Sequence, residues 1–186
     1  MKRVFDFFVG IILLITLAII ILFIAIAIQL TSKGPSLYWS KRVGKNNKTF
    51  MMPKFRSMVT GTPTLATHLL DNSDSYLSPI GRFLRLSSLD EIPQLFSVLK
   101  GDMSLVGPRP ALFNQEDLIT LRTQNGVDNL LPGITGWAQV NGRDDLLIPD
   151  KVALDVEYMD RQSFWFDIKI LWMTFLKVLK RDGVLH

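Results

Sequence analysis

The longest stretch of apolar side chains lies near the start of the chain. Residues 7–28 contain no charged side chain, and about 20 apolar residues in a helix are enough to cross the hydrocarbon core of a bilayer. This stretch predicts a membrane-inserted helix over residues 1–32. A cleaved secretory signal is the competing interpretation, but such signals have a shorter apolar core followed by small residues. Here Gln-Leu-Thr-Ser-Lys follows at residues 29–33, which is a poor cleavage site.

Shorter patterns predict a β-hairpin and several helices in the rest of the chain. Residues 37–43 and 49–55 are two β-prone runs separated by Gly-Lys-Asn-Asn, which is the arrangement of a hairpin. Pro53 lacks a backbone N–H, so we place the second strand at a sheet edge. Further helices are predicted at residues 80–86, 92–100, 111–124 and 149–161. The predicted loops are the polar residues 60–78 and the glycine-punctuated residues 131–143.

The last predicted helix, residues 164–180, divides into an apolar half and a polar half at about 100° per residue. The apolar half contains Phe164, Trp165, Ile168, Leu171, Trp172, Phe175, Leu176 and Leu179. The polar half contains Asp167, Lys169, Thr174, Lys177 and Lys180. Tryptophans opposite lysines are typical of a helix that lies in a membrane interface, whereas an ordinary core helix is the alternative. The N-terminal apolar run favours the membrane interpretation.

Composition and charge indicate on which side of the membrane the rest of the chain lies. The chain has 186 residues, 48% of them hydrophobic, and a net charge of +4; its mean hydropathy is +0.24. Basic residues flank the apolar run at Lys2, Arg3, Lys33, Lys41, Arg42, Lys45 and Lys48. Basic flanks mark the cytoplasmic side, so the helix either enters and returns to the same face or spans once with the longer side inside. Both arrangements place residues 33–186 in the cytoplasm as one domain.

Several kinds of site are disfavoured by what the sequence lacks. The absence of cysteine excludes disulfides and thiolate metal sites. His68 and His186 are the only histidines, so a histidine triad or a zinc site is not expected. No basic stripe with interleaved aromatic residues indicates nucleic-acid binding. Asp144 and Asp145 suit Mg²⁺ through their carboxylate oxygens, but a turn with an Asx cap explains them equally well.

Asp90 and Glu91 stand just before Pro93 in the sequence SSLDEIPQLF. Proline fits only the first turn of a helix, which predicts an N-cap at about Asp90, and Ser88-x-x-Glu91 matches a capping box. On this pattern alone, two acids that cap a helix are the favoured interpretation. The alternative is chemical, because a helix N-terminus stabilises a carboxylate and a phosphate together. One acid would then be a nucleophile while the other binds metal or moves a proton.

Basic residues suited to phosphate occur on both sides of this acidic pair in the sequence. They are Lys54, Arg56, Arg82, Arg85, Arg109 and Arg143. Arginine presents a planar fork that matches phosphate oxygens, although each of these residues taken alone is better explained as a solvated charge. Gly133, Gly136 and Gly142 would let backbone approach a ligand closely. Their spacing matches neither a P-loop nor a dinucleotide-binding motif.

A set of longer motifs carries a resemblance to a known family. The motifs, in order, are KGP, RVGKNNKTF, KFRSM, SLDEIPQLFSVLKGDMSLVGPRP, PGITGWAQVNGR, LDVEY and FWFDIKIL. Together they resemble the small, single-domain form of the bacterial sugar transferases known as monotopic phosphoglycosyl transferases, over nearly the whole chain except residues 60–78. The resemblance implies an α+β, mostly helical enzyme with a membrane-inserted helix, a small β-hairpin and interfacial amphipathic helices. Residues 33–186 would form its cytoplasmic catalytic domain.

The resemblance also implies a reaction, namely transfer of a sugar-1-phosphate from a UDP-sugar to polyprenol phosphate, usually undecaprenyl phosphate, with release of UMP. The matching Asp90 would attack the sugar-bearing phosphorus to form an aspartyl-phosphosugar, and Glu91 would assist the attack by the lipid phosphate. Mg²⁺ near Asp90 and Glu91 would neutralise the diphosphate. Phosphate or nucleotide contacts are expected first from Arg85 and Arg109, and then from Lys54, Arg56, Arg143 and Asp155.

Further expectations concern location and partners. The enzyme would work among membrane lipids at the cytoplasmic face of the bacterial inner membrane, without nucleic acid, and family members often form homodimers. One alternative is a non-catalytic, membrane-anchored nucleotide-binding or scaffold protein of the same fold. Another is a single-span enzyme that acts on soluble phosphate esters. The candidate sugars include galactose, glucose, N-acetylgalactosamine and amino-deoxy sugars.

The sequence departs from the family pattern in three places. Ala18 and Ile19 stand where the membrane helix typically breaks at Ser-Pro, so a re-entrant helix and a spanning helix both remain open. Leu131 stands where arginine is common before the PGITG sequence, so one expected phosphate or nucleotide contact is either missing or supplied by another residue. Ser40 stands where glutamine is common after the first strand.

Overall fold

The computed structural model of the chain describes residues 1–62, 73–142 and 146–180. Over these ranges the fold is mostly helical with two small sheets, which confirms the predicted class at that level. The helices are α1 (Lys2–Thr31), α2 (Gly81–Leu86), α3 (Leu95–Lys100), α4 (Glu116–Gln124), α5 (Trp137–Asn141), α6 (Ile148–Arg161) and α7 (Phe164–Lys180). The strands are β1 (Leu37–Val43), β2 (Thr49–Phe55), β3 (Ser104–Val106) and β4 (Gly133–Thr135). Short 3₁₀ helices cover Lys45–Asn47, Ser73–Tyr76, Leu89–Gln94 and Val127–Asn129.

The N-terminal apolar stretch forms α1, a single helix about 45 Å long at 1.5 Å per residue. Among the described helices it is the one long and apolar enough to cross a membrane. Side chains at helical spacing pack one side of α1 against the rest of the fold: Phe5, Val9, Leu13, Leu14, Leu17, Ile24 and Ile28. The other side exposes Phe8, Ile12, Ile15, Ile19 and Phe23. α1 therefore contacts the domain along its whole length, with no break at Ala18 or Ile19.

Polar contacts hold the first turns of α1 on the domain. Arg3 donates to the backbone carbonyl of Leu99 (2.6 Å), where a cation also meets the negative end of the α3 dipole. The Asp6 carboxylate is buried and accepts hydrogen bonds from Ser104 Oγ (2.8 Å) and from the Leu105 N–H (3.2 Å). Because a buried carboxylate without donors is costly, these contacts favour one docked position for α1.

The predicted β-hairpin is confirmed with its predicted boundaries. β1 and β2 pair antiparallel over their full length. The turn requires left-handed backbone at Asn46 (φ 53°) and Asn47 (φ 57°), and asparagine is enriched in that region of the φ/ψ map. The hairpin packs β2 against the 3₁₀ helix Leu89–Gln94, so Lys54 of β2 reaches the acidic pair.

The predicted loop at residues 131–143 is wrong, because the segment contains β4 and α5. β4 pairs in parallel with β3, with Ser104 opposite Gly133. This pairing requires glycine at residue 133, since a Cβ there would overlap the backbone nitrogen of Gly107. Gly136 is restricted in the same way by the Gly107 carbonyl. These glycines therefore let two backbones approach each other, rather than a backbone and a ligand.

The helix boundaries agree with the predictions in most places. α2, α6 and α7 lie where they are predicted, and α3 begins at Leu95 rather than at residue 92, because a 3₁₀ helix precedes it. α4 begins at Glu116 rather than at residue 111. The reason is that the Ala111 carbonyl accepts a hydrogen bond from the Val43 N–H (2.9 Å), which draws this segment against β1. The predicted loop at residues 60–78 includes the 3₁₀ helix Ser73–Tyr76, while residues 63–72 lie outside the described part.

Among its described side chains, α7 exposes most of the half that the sequence predicts to be apolar, while Ile168 and Leu171 are partly buried. Trp165, Trp172 and Phe175 are 77%, 59% and 52% exposed. The opposite side buries Phe166 and Ile170 in the core. An ordinary core helix does not account for three exposed aromatic side chains. The helix itself is confirmed, and its contact with a membrane stays a prediction.

Candidate active site

The acidic pair lies on the 3₁₀ helix Leu89–Gln94, and α3 continues from it. Ser88 takes the cap position with a left-handed backbone (φ 55°), and its side chain makes no capping hydrogen bond. The predicted N-cap near Asp90 and the predicted capping box are therefore wrong. The physical reason is that the turn begins earlier than Pro93 suggests and that the Glu91 side chain reaches toward β2 instead.

Glu91 is held by two cations from distant parts of the chain. Lys54 Nζ lies 2.8 Å from Glu91 Oε1, and Arg109 Nη2 lies 3.1 Å from the same oxygen. Arg109 belongs to the Gly-Pro-Arg-Pro segment that follows β3. The Glu91 side chain is 13% exposed, so little water screens these ion pairs. Glu91 is thereby fixed in position with its charge balanced.

Asp90 belongs to the same cluster but has different surroundings. It is 8% exposed, and no donor among the described residues hydrogen-bonds to its carboxylate. Burial raises the pKa of Asp90, and the positive charge of Lys54 is the strongest influence against that rise. Arg85 and Arg109 act in the same direction as Lys54. Within the described part of the chain, the Asp90 carboxylate thus lies beside three positive charges and accepts no hydrogen bond.

The cations around the pair come from three separate elements. Lys54 lies on β2, and burial lowers its pKa while the Glu91 charge opposes that shift. Arg85 on α2 donates from Nε to Ser57 Oγ (3.2 Å). Arg109 comes from the segment after β3. The structure thus brings together five predicted site residues, namely Asp90, Glu91, Lys54, Arg85 and Arg109, and Lys54 is in direct contact with Glu91.

Arg42 and Arg122 hold the segment that carries Arg109 in position, although the sequence did not lead us to assign either arginine to the site. Arg42 on β1 donates to Ser40 Oγ (3.0 Å) and to the Pro110 carbonyl (3.1 Å), which gives the buried Ser40 a partner. Arg122 on α4 donates to the Arg109 carbonyl (2.7 Å). Both hold the segment that carries Arg109. The sequence signal for Arg122 is weak, namely a charge on the same helix face as a buried leucine one turn earlier.

Arg56 and Asp155 make their polar contacts away from the acidic pair. Arg56 is buried and donates to the Ser32 carbonyl, the Ser32 Oγ and the Gly34 carbonyl, so it fastens the end of α1 to β2. Asp155 on α6 is buried, and its Oδ2 accepts from Arg122 Nε (2.9 Å) and Nη2 (2.7 Å). Arg143, which was also predicted to contact phosphate or nucleotide, lies outside the described residues, as do Asp144 and Asp145.

The carboxylates of Asp90 and Glu91 are the candidate oxygen ligands for a divalent cation. Within residues 1–62, 73–142 and 146–180, no group of three or more His, Cys, Asp or Glu side chains is arranged to hold a metal. Mg²⁺ typically binds one or two carboxylates together with substrate phosphates and water. The donor set thus fits a magnesium ion that binds together with a diphosphate, and it does not form an all-protein cage.

Comparison with known proteins identifies a family and several relatives. The family described as "Bacterial sugar transferase" matches residues 1–181. The chain is 43% identical over 184 residues to the undecaprenyl-phosphate glucose phosphotransferase of Komagataeibacter xylinus, which covers 93% of this chain and 35% of that protein. It is 42% identical over 184 residues to the uncharacterized sugar transferase EpsL of Bacillus subtilis (strain 168), at 99% and 90% coverage.

A third relative is the undecaprenyl-phosphate galactose phosphotransferase of Salmonella typhimurium. It is 38% identical over 201 residues, which cover 98% of this chain and 41% of that protein. The chain thus spans less than half the length of the two relatives whose names state a reaction. It spans most of the Bacillus relative.

Proposed function

Because the chain belongs to the bacterial sugar transferase family, we propose that it transfers a sugar-1-phosphate from a UDP-sugar to polyprenol phosphate. Undecaprenyl phosphate is the proposed acceptor, since two relatives are named for it. UMP is the proposed second product. The observation that carries this proposal is the contrast between two adjacent buried carboxylates, of which Glu91 is paired with two cations while the Asp90 carboxylate accepts no hydrogen bond from the described residues.

In the first proposed step, Asp90 is the nucleophile. A carboxylate oxygen of Asp90 bonds to the sugar-bearing phosphorus, and the bond from that phosphorus to the bridging oxygen breaks. The electron pair leaves with UMP, and an aspartyl-phosphosugar remains. Lys54, Arg85 and Arg109 surround the place where charge would accumulate, and such cations stabilise a transferring phosphoryl group.

In the second proposed step, an oxygen of the lipid phosphate bonds to the same phosphorus and the Asp90 oxygen leaves. The products are a polyprenol diphosphosugar and the regenerated carboxylate. Glu91 lies next to Asp90 and is held by Lys54 and Arg109, so it can orient the incoming phosphate or accept its proton. A covalent relay lets a soluble donor and a lipid acceptor use one site in turn.

Magnesium belongs to the same proposal. Asp90 and Glu91 would hold Mg²⁺, which when bound supplies positive charge to the diphosphate. Because Glu91 Oε1 already faces Lys54 and Arg109, Asp90 is the first candidate ligand. We expect chelation with EDTA to abolish UMP release and readdition of Mg²⁺ to restore it.

Location and assembly complete the proposal. α1 is long and apolar enough to enter a bilayer, so we place the protein at the cytoplasmic face of a bacterial inner membrane, where the donor is made. A homodimer stays a prediction. The non-catalytic scaffold of the same fold is the outcome to be excluded.

The test uses the purified full chain in lipid nanodiscs. A panel of UDP-sugars that includes UDP-glucose and UDP-galactose is supplied with undecaprenyl phosphate, and UMP and labelled lipid are measured together. Donor alone should add the mass of a sugar phosphate to the peptide that contains Asp90. A scaffold would yield neither UMP nor labelled lipid, and hydrolysis without any lipid acceptor would indicate an enzyme that acts on soluble phosphate esters.

A further inference from the structure

A cavity of about 380 Å³ lies beside the acidic pair, which is within the usual volume of a small-molecule site. Glu91 and Ser88 form part of its wall, so the cavity is continuous with the candidate active site. Other parts of its wall come from α1 through Leu13 and from α7 through Leu171 and Val178.

Most of the residues that line this cavity are apolar, and Gln139 adds an amide whose nitrogen donates to the Ile134 carbonyl (2.8 Å) while its buried oxygen has no hydrogen-bond partner among the described residues. Among its described lining residues only Glu91 and Lys177 carry a charge. Thr135 and Thr174 also line it, but their hydroxyls lie 2.6 Å apart and hydrogen-bond to each other. An apolar chain can therefore enter this space without leaving many polar groups unpaired.

The cations of the active site lie outside this wall. Lys54, Arg85 and Arg109 do not line the cavity, although Lys54 and Arg109 contact Glu91 directly. Glu91 thus separates a basic region from an apolar one. A sugar nucleotide carries a diphosphate and many hydroxyls, which need cations and hydrogen-bond donors. That donor fits the basic region, and the cavity is left for an apolar group.

The helices that form the cavity also carry the exposed apolar surface. Leu13 on α1 neighbours Ile12 and Ile15, which are 58% and 70% exposed. On α7, Leu171 neighbours Trp172, which is 59% exposed. If these surfaces face lipid, a chain that leaves the bilayer between α1 and α7 reaches Glu91 without crossing water.

We propose that this cavity binds the isoprenoid chain of the acceptor lipid next to its phosphate, and that the donor diphosphate binds on the basic side of Glu91. This inference rests on the proposed function. It assigns the two substrates to two regions that meet at the acidic pair, so that the lipid phosphate, once UMP has left, can attack the phosphorus of the aspartyl-phosphosugar opposite its bond to Asp90.

The test uses substitutions that make the cavity smaller, one on α1 and one on α7. Each is compared with the same substitution at an exposed position of the same helix. Leu13→Trp and Leu171→Trp place a larger side chain in the cavity, while Ile12→Trp and Phe175→Trp place the same side chain on the exposed sides of the same helices. The KM for undecaprenyl phosphate should rise about tenfold relative to the KM for the donor in the first two variants, because several CH₂ groups lose their burial. The two controls should keep the wild-type ratio.

A second measurement uses the wild-type chain, so it does not depend on the folding of any variant. Undecaprenyl phosphate with a diazirine on the isoprene units nearest the phosphate is photolysed in nanodiscs with the protein. We expect labels on Leu13 of α1 and on Leu171 of α7, which line the cavity and are partly buried. Labelling confined to exposed side chains such as Phe175 would overturn the inference.

The outcomes separate this inference from the proposed function. A wild-type protein that releases no UMP and labels no lipid refutes both. A wild-type protein that transfers sugar phosphate, with unchanged acceptor KM in Leu13→Trp and Leu171→Trp, refutes only the cavity assignment. A rise in the KM for the UDP-sugar alone would assign the cavity to the donor and overturn the inference as well.

Discussion

At the scale of single residues, the site depends on different surroundings for two neighbouring acids. Adjacent positions on a tight helix point in different directions, so Glu91 reaches Lys54 and Arg109 while Asp90 does not pair with either. A carboxylate already bound to two cations is a poor nucleophile, because its lone pairs are engaged. Asp90 has the complementary properties, since nearby charge favours its ionised form without a direct contact.

The first prediction concerns Asp90→Asn. This variant should lose all transfer and should no longer form the sugar-phosphate adduct with donor alone. Its midpoint of thermal unfolding in nanodiscs should equal or exceed that of the wild type near neutral pH, because burial disfavours the charged Asp90 in the folded state. Asp102→Asn is the control, since Asp102 pairs with Lys100 at a more exposed position. Transfer by Asp90→Asn would exclude Asp90 as the nucleophile.

The second prediction concerns pH. Asp90 attacks as a carboxylate and its pKa is raised, so UMP release should fall as the pH drops through that pKa, at a higher pH than an ordinary aspartate requires. Lys54→Met removes the positive charge that most strongly opposes the rise in the Asp90 pKa. The acidic limb of the pH profile, where UMP release falls, should therefore move to still higher pH. Lys48→Met, on an exposed residue, should leave the limb in place. The measurement is the pH profile of single-turnover UMP release.

That experiment also tests whether Lys54 acts through Asp90. Arg85, Arg109 and Glu91 remain in the Lys54→Met variant, and each contributes to the charge around Asp90. A merely structural role for Lys54 would lower the rate equally at every pH. An acidic limb that stays fixed would therefore contradict the assignment.

The third prediction concerns the buried pair of Arg122 and Asp155, which we interpret as positioning residues for Arg109. Asp155→Asn leaves a buried arginine without its counter-charge, which should lower the free energy of unfolding by about 3 kcal/mol. The double variant Arg122→Met with Asp155→Leu should recover most of that loss, because well-packed apolar residues often replace a buried ion pair. It should not restore the wild-type KM for the UDP-sugar, because the Arg109 carbonyl loses its donor.

Thermal unfolding and the KM for the UDP-sugar are the two measurements. Recovery of both stability and wild-type KM in the double variant would show that the pair is only structural. Recovery of stability alone, with a raised donor KM, is the expected result.

At the scale of elements, local sequence patterns predict a helix or strand correctly where that element is determined by its own residues. The hairpin was predicted with its boundaries, because the strand-forming runs and the asparagine turn act locally. β3 and β4 were missed, because each has three residues and is a strand only through its pairing with the other. The start of α4 was misplaced for the same reason, since contact with β1 overrides helix propensity there.

Prediction of the site from the sequence has the same limit, because contacts between distant elements are not visible in local patterns. Asp90, Glu91, Lys54, Arg85 and Arg109 were predicted as site residues through a resemblance that spans long motifs, and the structure brings these five side chains together. The partners of Arg56 and Asp155 lie on distant elements, and spacing along the chain does not reveal such contacts. Those two residues were therefore expected to bind phosphate, whereas their polar contacts are to backbone and to Arg122.

The fourth prediction concerns the topology of α1. Contacts at Arg3 and Asp6 hold its start on the domain, and Arg56 holds its end. A helix with both ends on one domain should present both ends to the same side of the membrane. Because the chain has no cysteine, single cysteines report this cleanly with a membrane-impermeant maleimide. One variant has a cysteine inserted after Met1, and the other is Lys33→Cys. We expect the maleimide to label both cysteines in inside-out vesicles and to label neither in spheroplasts.

Ile15→Cys serves as the matched lipid-facing position, since it is 70% exposed and should react from neither side. Labelling of the inserted N-terminal cysteine in spheroplasts would establish a straight span. In that case the contacts along α1 would have to break on membrane insertion.

At the scale of the whole molecule, apolar surface that a soluble protein would bury is left exposed on several elements. It includes the outer side of α1, Phe83 on α2, Phe96 on α3 and the aromatic side chains of α7. Large exposed apolar patches mark interaction surfaces, and the proposed lipid acceptor requires contact with a bilayer. α4 has no exposed aromatic residue among its described side chains and packs on α6 instead.

The fifth prediction tests this orientation. Phe175→Cys and Thr120→Cys place one thiol on α7 and one on α4 of a chain that has none, and each is labelled with the environment-sensitive fluorophore NBD. Nitroxide lipids in the nanodisc should quench the α7 probe strongly and the α4 probe weakly, because only the first would contact acyl chains. Equal quenching at both positions would mean that the exposed side of α7 does not face lipid. The proposed route of the acceptor chain between α1 and α7 would then lose its entrance.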